Sequence, residues 1–244
     1  MKIKGFSGKD SSVGFSLIEV LVSMTVLIVI IVMVTNMFRN ASEAWDTGTQ
    51  RAEMNTSARA AVEYITRELS CAVVGTIPDS QGNTLTLKKI KLDNDADDNV
   101  ANLSFVALSG EANALRGVKF RFNKANRIIE TVRETDSSVP PFQPYTAAWS
   151  AWPVDPPLLI TNVWRFEANI YESGGDMQSG HTATLPYDSS VLPACVDISI
   201  EMLNERDMVR ALSLTPGPQQ NGFVMTNSRV YTTRVSFPNR SGER

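Results

Sequence analysis

A single carboxylate, Glu19, interrupts the most apolar stretch of the chain. It is the only charged residue among residues 15–34, and Gly14 and Phe15 stand close before it. A charge at the centre of a membrane-spanning helix costs roughly 2.5–3.5 kcal/mol and by default indicates a function. Near the membrane surface the cost is smaller, but a neutral residue would still insert more easily. Glu19 is therefore the first candidate for a functional residue.

A cut between Gly14 and Phe15 would give Glu19 a partner. It creates an α-ammonium group on Phe15, four residues and ~6 Å from Glu19 along a helix axis. When many such helices pack in a staggered array, Glu19 of one chain meets the Phe15 ammonium of the next. Each charge is unfavourable in lipid alone, but the pair sets the axial register of neighbouring helices.

Two other interpretations of the apolar stretch explain less. A secretory signal peptide has an apolar core of about 7–15 residues and a small-residue cleavage site, whereas this run is longer and no such site follows it. A plain signal anchor explains the length and the preceding Lys2, Lys4 and Lys9, but it leaves Glu19 without a role.

The segment Gly14-Phe15-Ser16-Leu17-Ile18-Glu19-Val20 resembles the class III signal of type IV pilins and type II secretion pseudopilins. The resemblance implies that a prepilin peptidase cuts after Gly14 and N-methylates Phe15, and that Glu19 is needed for assembly. The implied partners are other pilin or pseudopilin subunits, the prepilin peptidase and the inner membrane. The implied product is a structural subunit of a filament and not an enzyme.

The elements that must position these residues divide the chain into four predicted parts. Residues 1–14 form a cleaved leader, and residues 15–34 are long enough to cross a bilayer as a helix. The lysines before this span keep the N-terminus cytoplasmic, which places the rest of the chain in the periplasm. Residues 35–74 continue the helix as an amphipathic segment, and residues 75–244 form a β-rich head.

The amphipathic segment contains an apolar stripe with helical spacing. Its members are Met54, Ala58, Ala61, Val62, Ile65, Leu69, Ala72 and Val73. The opposite, charged face is predicted to be solvated and holds Arg51, Glu53, Arg59, Glu63, Arg67 and Glu68. The stripe packs either on the protein's own sheet or on another subunit, and Gly75 and Pro78 indicate the end of a helix that starts near residue 15.

The head alternates apolar and polar residues with the period of two that β-strands show. Strands are predicted at residues 84–92, with a break at 88–89, and at 102–108, 118–122, 128–133, 158–171, 196–202 and 230–237. Residues 123–126 form a hairpin turn, and long loops are predicted at 136–157, 172–193 and 202–227. The predicted fold class is α+β, with a long N-terminal helix packed on a mostly antiparallel sheet.

A second resemblance concerns the order of the elements. It is carried by residues 57–69 (SARAAVEYITREL), by 158–163 (LLITNV) with Phe166 following, and by 192–200 (LPACVDISI). These segments are similar to the minor pseudopilin J or pilin W-like branch and to the pseudopilins called Verru_Chthon cassette proteins. The alternative function is a membrane-anchored ligand-binding module, with Trp149 and Trp152 as its platform. In the other interpretation these rings cap the head's own core.

An acidic turn and two cysteines are the remaining candidate sites. The spacing of Asp93, Asp95, Asp97 and Asp98 suits oxygen ligands of calcium, but the glycine and the glutamate of an EF-hand loop are missing. The alternative is a solvated acidic turn without a cofactor. Cys71 and Cys195 form either one disulfide, in an oxidising compartment, or two half-buried thiols.

Several function classes find no support in the sequence. The pI of about 5.3 argues against a nucleic-acid partner, since such proteins show a basic excess. The single histidine, His181, lies in a Gly/Ser-rich stretch without a neighbouring nucleophile motif and is interpreted as a surface residue. Neither a G-x-S-x-G nor a phosphate-binding glycine motif occurs, so no catalytic residue is proposed.

Overall fold

The chain folds as an α+β protein in which one long helix precedes antiparallel sheets. The computed structural model describes residues 16–73, 75–78, 84–87, 90–97, 99–108, 115–134, 152–171, 177–179 and 192–237. The chain divides into two compact units, Met1–Thr49 and Gln50–Arg244. The described elements are α1 (Leu17–Ser70), β1 (Gly75–Pro78), β2 (Thr84–Leu87), β3 (Lys91–Asn94), β4 (Val100–Leu108), β5 (Leu115–Asn123), β6 (Ile128–Glu134), β7 (Leu158–Ile160), β8 (Val163–Tyr171), β9 (Met177–Ser179), β10 (Cys195–Met202), α2 (Glu205–Ser213), α3 (Pro218–Asn227) and β11 (Arg229–Ser236).

Helix α1 forms because nothing in its sequence interrupts it. Its 54 residues contain no proline and only one glycine, Gly48. It ends four residues before the predicted position 74, where the amides of Cys71 and Ala72 donate to the carbonyls of Glu68 and Leu69 and so tighten the last turn. The next residues already belong to the sheet, because Ala72 forms a β-bridge with Ala107 of β4.

Within the second unit, α1 buries the apolar stripe that its sequence predicts. Ala58, Ile65 and Leu69 are fully buried, and Met54 and Ala61 are nearly so. They belong to one core cluster together with residues from both larger sheets, such as Phe120 and Ile198. The stripe therefore packs on the protein's own strands, and this side of α1 is part of the head's core.

The first of these sheets has five strands in the order β3-β4-β5-β6-β7, all antiparallel. Phe120 of β5 pairs with Leu103 of β4 and with Thr131 of β6. The predicted hairpin is confirmed: β5 and β6 are joined by the turn at 124–127, where Arg127 adopts a φ of 56°. The strand predicted at 84–92 is two strands, β2 and β3, and β2 pairs with β1 in a small separate sheet.

The second sheet has four strands in the order β11-β10-β8-β9. Along β10, Val196, Ile198, Ile200 and Met202 are buried, and the residues between them are partly exposed. This alternation is what a strand shows when it has one face on the core and one toward solvent. The predicted one-face-buried strand is therefore confirmed, and Cys195 lies on its outer face.

The long strand predicted at 158–171 is wrong, because the chain changes sheets in its middle. β7 pairs with β6 in the five-stranded sheet, whereas β8 pairs with β10 in the four-stranded sheet. Asn162 makes the corner with a φ of 59°, a left-handed conformation that asparagine tolerates better than most residues. The amide of Leu203 donates to the Asn162 carbonyl at 3.2 Å and fixes this corner.

The loop predicted at 202–227 is also wrong, since it contains α2 and α3. Asn204 caps α2 by accepting a hydrogen bond from the amide of Asp207 at 2.7 Å, and Pro218 is the first residue of α3. The two helices share a small core of their own, formed by Leu203, Met208, Ala211 and Val224. The predicted loop at 172–193 contains the short strand β9, which pairs with β8.

Candidate functional site

Glu19 lies in the first turn of α1 and forms a reciprocal contact with Ser16. The Ser16 amide donates to Glu19 Oε2 at 3.4 Å, and the Glu19 amide donates to Ser16 Oγ at 3.3 Å. This is the arrangement of a capping box, and an acid in the first turn also complements the helix dipole. Within one chain Glu19 thus satisfies its own helix start while its side chain stays exposed. Gly14 and Phe15 lie outside the described residues, so cleavage, methylation and an ion pair with Phe15 stay predictions.

Residues 17–34 of the first unit present an apolar surface on every side of the helix. Residues 16–46 are all exposed, including Leu17 at 83%, Ile28 at 60% and Met33 at 69%. Soluble monomers rarely expose contiguous apolar patches larger than a few hundred Å², and larger ones mark interaction sites. Among the described helices, α1 alone is long and apolar enough to cross a membrane, judged by length and composition only.

The few polar groups on this apolar surface are satisfied by the helix itself. The hydroxyls of Ser23, Thr25 and Thr35 donate to the backbone carbonyls of Glu19, Val22 and Ile31 at 2.7–2.8 Å. Such internal bonds remove the desolvation cost of a hydroxyl in an apolar medium. Glu19 carries the one formal charge among residues 17–34. Because the hydroxyls are satisfied, the surface around Glu19 suits lipid or other apolar helices.

Glu68 was predicted to lie on the solvated face of α1, and the structure corrects this. It is fully buried, and its carboxylate forms ion pairs with Arg116 of β5, at 2.7 Å, and with Arg133 of β6. The guanidinium of Arg133 also lies over the ring of Tyr64, 4.7 Å from its centre. These contacts tie the end of α1 to two neighbouring strands. Their partners lie far away in the sequence, so no local pattern identifies them.

Each described carboxylate of the acidic turn has a partner of its own. Asp93 pairs with Lys91 at 3.1 Å, and Asp95 accepts hydrogen bonds from the amides of Asp97 and Asn99. Asp97 pairs with Lys124, whose hydrogen bond and charge lower the pKa of this exposed carboxyl.

No group of three ligating side chains that could hold a metal occurs in the described part of the chain. Asp98 lies outside the described residues, so calcium binding by the acidic turn stays a prediction.

The two cysteines carry free, partly buried thiols in this structure. Cys71 packs against the main core just after α1. Cys195 is the first residue of β10 and lies on the face of that strand that points away from the core. A bridge between them, or its absence in the cell, stays a prediction. His181 and Trp149 lie outside the described residues.

The ring of Trp152 contacts residues of the head. Its ring lies over the guanidinium of Arg121, 4.3 Å from the ring centre, and its distance to the ammonium of Lys119 is 6.0 Å. Arg121 in turn pairs with the buried Glu130, which also accepts from Asn123 at 2.9 Å. Trp152 is thus stacked on polar residues of the five-stranded sheet, and the two predicted roles of the Trp149/Trp152 pair stay predictions.

The fold and these surfaces define an α+β protein with one exposed apolar helix, long enough for a membrane span, and an antiparallel β head. No family model and no curated protein sequence matches the chain. Among solved structures it is similar to a type IV-like pilin from Thermus thermophilus. That likeness has a TM-score of 0.44 and 12% sequence identity, and it covers 76% of this chain and 97% of the pilin.

Proposed function

We propose that this chain is a pilin-like subunit that assembles into a filament through its N-terminal helix. The observation that carries the proposal is the start of α1, where Glu19 is the single charge among residues 17–34, all of which are exposed. A helix that is hydrophobic all round needs a membrane or other apolar helices around it. A carboxylate kept on such a helix needs a cationic partner, and a cut after Gly14 would create one on Phe15.

In its finer form, the proposal is a minor pseudopilin of a type II secretion or type IV pilus-like system. A prepilin peptidase would remove residues 1–14 and methylate Phe15. The mature subunit would wait in the inner membrane as a single-pass protein, with its N-terminus cytoplasmic and its head in the periplasm. It would then dock laterally on other subunits, with Glu19 setting the register. The function is structural, and no chemical step is assigned to the head.

The alternative of a tethered ligand-binding module gains no specific support. Its platform required an available aromatic surface, whereas Trp152 is stacked on Arg121 of the head. The filament proposal does not depend on this ring, because it places the function in α1.

Processing and assembly can be tested together in a host that produces a prepilin peptidase and a filament. The mature chain should begin with methylated Phe15 in intact-mass spectrometry. Glu19→Gln should be processed normally but enter the filament at least about tenfold less, since a neutral amide cannot replace the charge of the pair. Glu63→Gln, an exposed acid farther along α1, is the matched control and should assemble normally.

Two results would contradict the proposal. A chain that keeps Met1 in the presence of an active peptidase would show that the proposed cleavage after Gly14 does not occur. A Glu19→Gln subunit that enters the filament as well as the wild type would show that the carboxylate does not set the register.

A further inference from the structure

A cleft in the second unit, the Glu53–Glu205 cleft, carries charge of one sign only. It encloses about 350 Å³, and its walls come from α1, from the β7–β8 corner and from the junction of β10 with α2. Glu53 and Glu205 line it, and no lysine, arginine or histidine does. Neither carboxylate forms an ion pair with another described residue. A cleft lined by one sign of charge focuses the field and concentrates ligands of the opposite sign.

Besides the two acids, polar and apolar residues both line the cleft, and its apolar part suits the stem of a long side chain. Met54 and Met202 form a nearly buried floor, and Leu158 is 54% exposed at the rim. Lysine and arginine combine an aliphatic stem, which packs on apolar surface, with a cationic end that seeks carboxylates or water. This combination matches the floor and the two acids better than a bare cation does, since a metal takes more ligands than two acids supply and no group of three metal-ligating side chains occurs among the described residues.

The walls of the cleft are held in place before any ligand arrives. The left-handed Asn162 fixes the corner between β7 and β8, and its carbonyl accepts the amide of Leu203 at 3.2 Å. Asn204 caps α2 and so fixes the backbone that carries Glu205. A preformed site loses less conformational entropy on binding, which favours recognition of a single side chain.

We propose that the Glu53–Glu205 cleft receives a lysine or arginine side chain from a basic segment of a partner protein. The stem lies on Met54 and Leu158, and the cation is placed between the two carboxylates. The chain itself has a net charge of −3, so a basic partner complements it better than a second copy does. The proposal goes beyond filament assembly, because it requires only the folded head.

The test uses the full chain in lipid nanodiscs with ¹³C-labelled methionine methyl groups. We expect the peptide acetyl-Gly-Arg-Gly-amide to shift the signals of Met54 and Met202 but not that of Met225, which lies outside the cleft. Glu53→Gln combined with Glu205→Gln should weaken binding by about tenfold or more, since two charged hydrogen-bond acceptors are lost. Added salt should weaken it as well.

Three controls make the outcome decisive. Glu63→Gln removes an acid from the same helix outside the cleft and should leave the affinity unchanged. The unchanged signal of the buried Met208 shows that each variant is folded. The proposal is overturned if the citrulline peptide, a neutral isostere, binds equally well, if the double variant binds like the wild type, or if about 10 mM arginine peptide shifts neither Met54 nor Met202.

Discussion

The two parts of α1 share one backbone conformation but have opposite surroundings. In the unit Met1–Thr49, residues 16–46 are exposed, and the apolar ones face outward on all sides. In the unit Gln50–Arg244, apolar side chains such as Ile65 and Leu69 have no exposed surface. The first part has no protein core to enter, whereas the second part is one wall of the head's core.

This difference shows that the role of a helix depends on how its apolar residues are distributed around the axis, and not on its backbone conformation alone. Apolar residues spread around the axis suit lipid or neighbouring helices, whereas a stripe with a step of three to four suits a sheet on one side. We therefore expect substitutions in the second part to change folding, and substitutions in the first part to change membrane insertion or assembly. The following variants test this separation, from the largest expected effect to the smallest.

Glu68→Gln should give the largest loss of stability. Removing one partner of a buried ion pair costs about 3–5 kcal/mol, because the remaining charges lose their compensation. Here Arg116 and Arg133 would both lose the carboxylate of Glu68. Urea unfolding of the full chain in detergent, followed by circular dichroism, measures the change. Glu63→Gln, on the exposed side of the same helix, should cost less than about 0.5 kcal/mol. Equal costs for the two variants would show that the buried pair does not stabilise the head.

Leu69→Ala and Leu27→Ala compare the two parts of α1 with the same chemical change. Leu69 is fully buried, so its truncation should lower the free energy of unfolding by about 3 kcal/mol. Leu27 is 56% exposed, so its truncation should leave the unfolding of the head unchanged. The same urea titration measures both. A loss of head stability in Leu27→Ala would mean that the first part contributes to the head's folding.

The sequence predicted the features that local periodicity encodes. The long helix follows from its uninterrupted composition and the 54-to-73 stripe, and the β5–β6 hairpin follows from two alternating runs around Asn123 and Asn126. The ends of elements were less accurate, as the four-residue difference at Ser70 shows. α2 and α3 were missed although Asn204 and Pro218 are recognisable start signals, because short helices between long strands compete with a loop interpretation.

Features that depend on distant partners could not be predicted. Glu68 meets Arg116 and Arg133 across 48 and 65 residues of sequence, so its helical position alone indicated a solvated side chain. The change of sheet at Asn162 depends on which strands stand beside β7 and β8, and apolar alternation continues through it. For the candidate site, Glu19 was singled out from its type and position, whereas its contact with Ser16 was missed although Ser16-Leu17-Ile18-Glu19 has the S-x-x-E pattern of a capping box.

Asp197→Asn should lower the stability of the head only slightly, and it tests whether an exposed ion pair contributes less than the buried pair of Glu68. Two bonds of 2.6 and 2.7 Å from Arg234 hold Asp197, and the Arg234 hydrogen bond lowers the pKa of this carboxyl. Because the folded pKa is depressed, the pair stabilises the head above the ordinary carboxyl pKa, and this contribution is lost as pH falls through the lowered value. The Arg234 side chain is 58% exposed, so we expect less than about 1 kcal/mol at neutral pH.

The measurement for Asp197→Asn is the urea midpoint of wild type and variant at neutral pH and again at about pH 2, below the ordinary carboxyl pKa of about 3.9. The two midpoints should differ slightly at neutral pH and converge in acid. A larger difference in acid would reverse the sign and disprove the linkage. Asp197→Asn should also assemble normally, in contrast to Glu19→Gln, which should fold normally and fail to assemble. Asp197 then acts on folding, whereas the charge of Glu19 acts on contacts between chains.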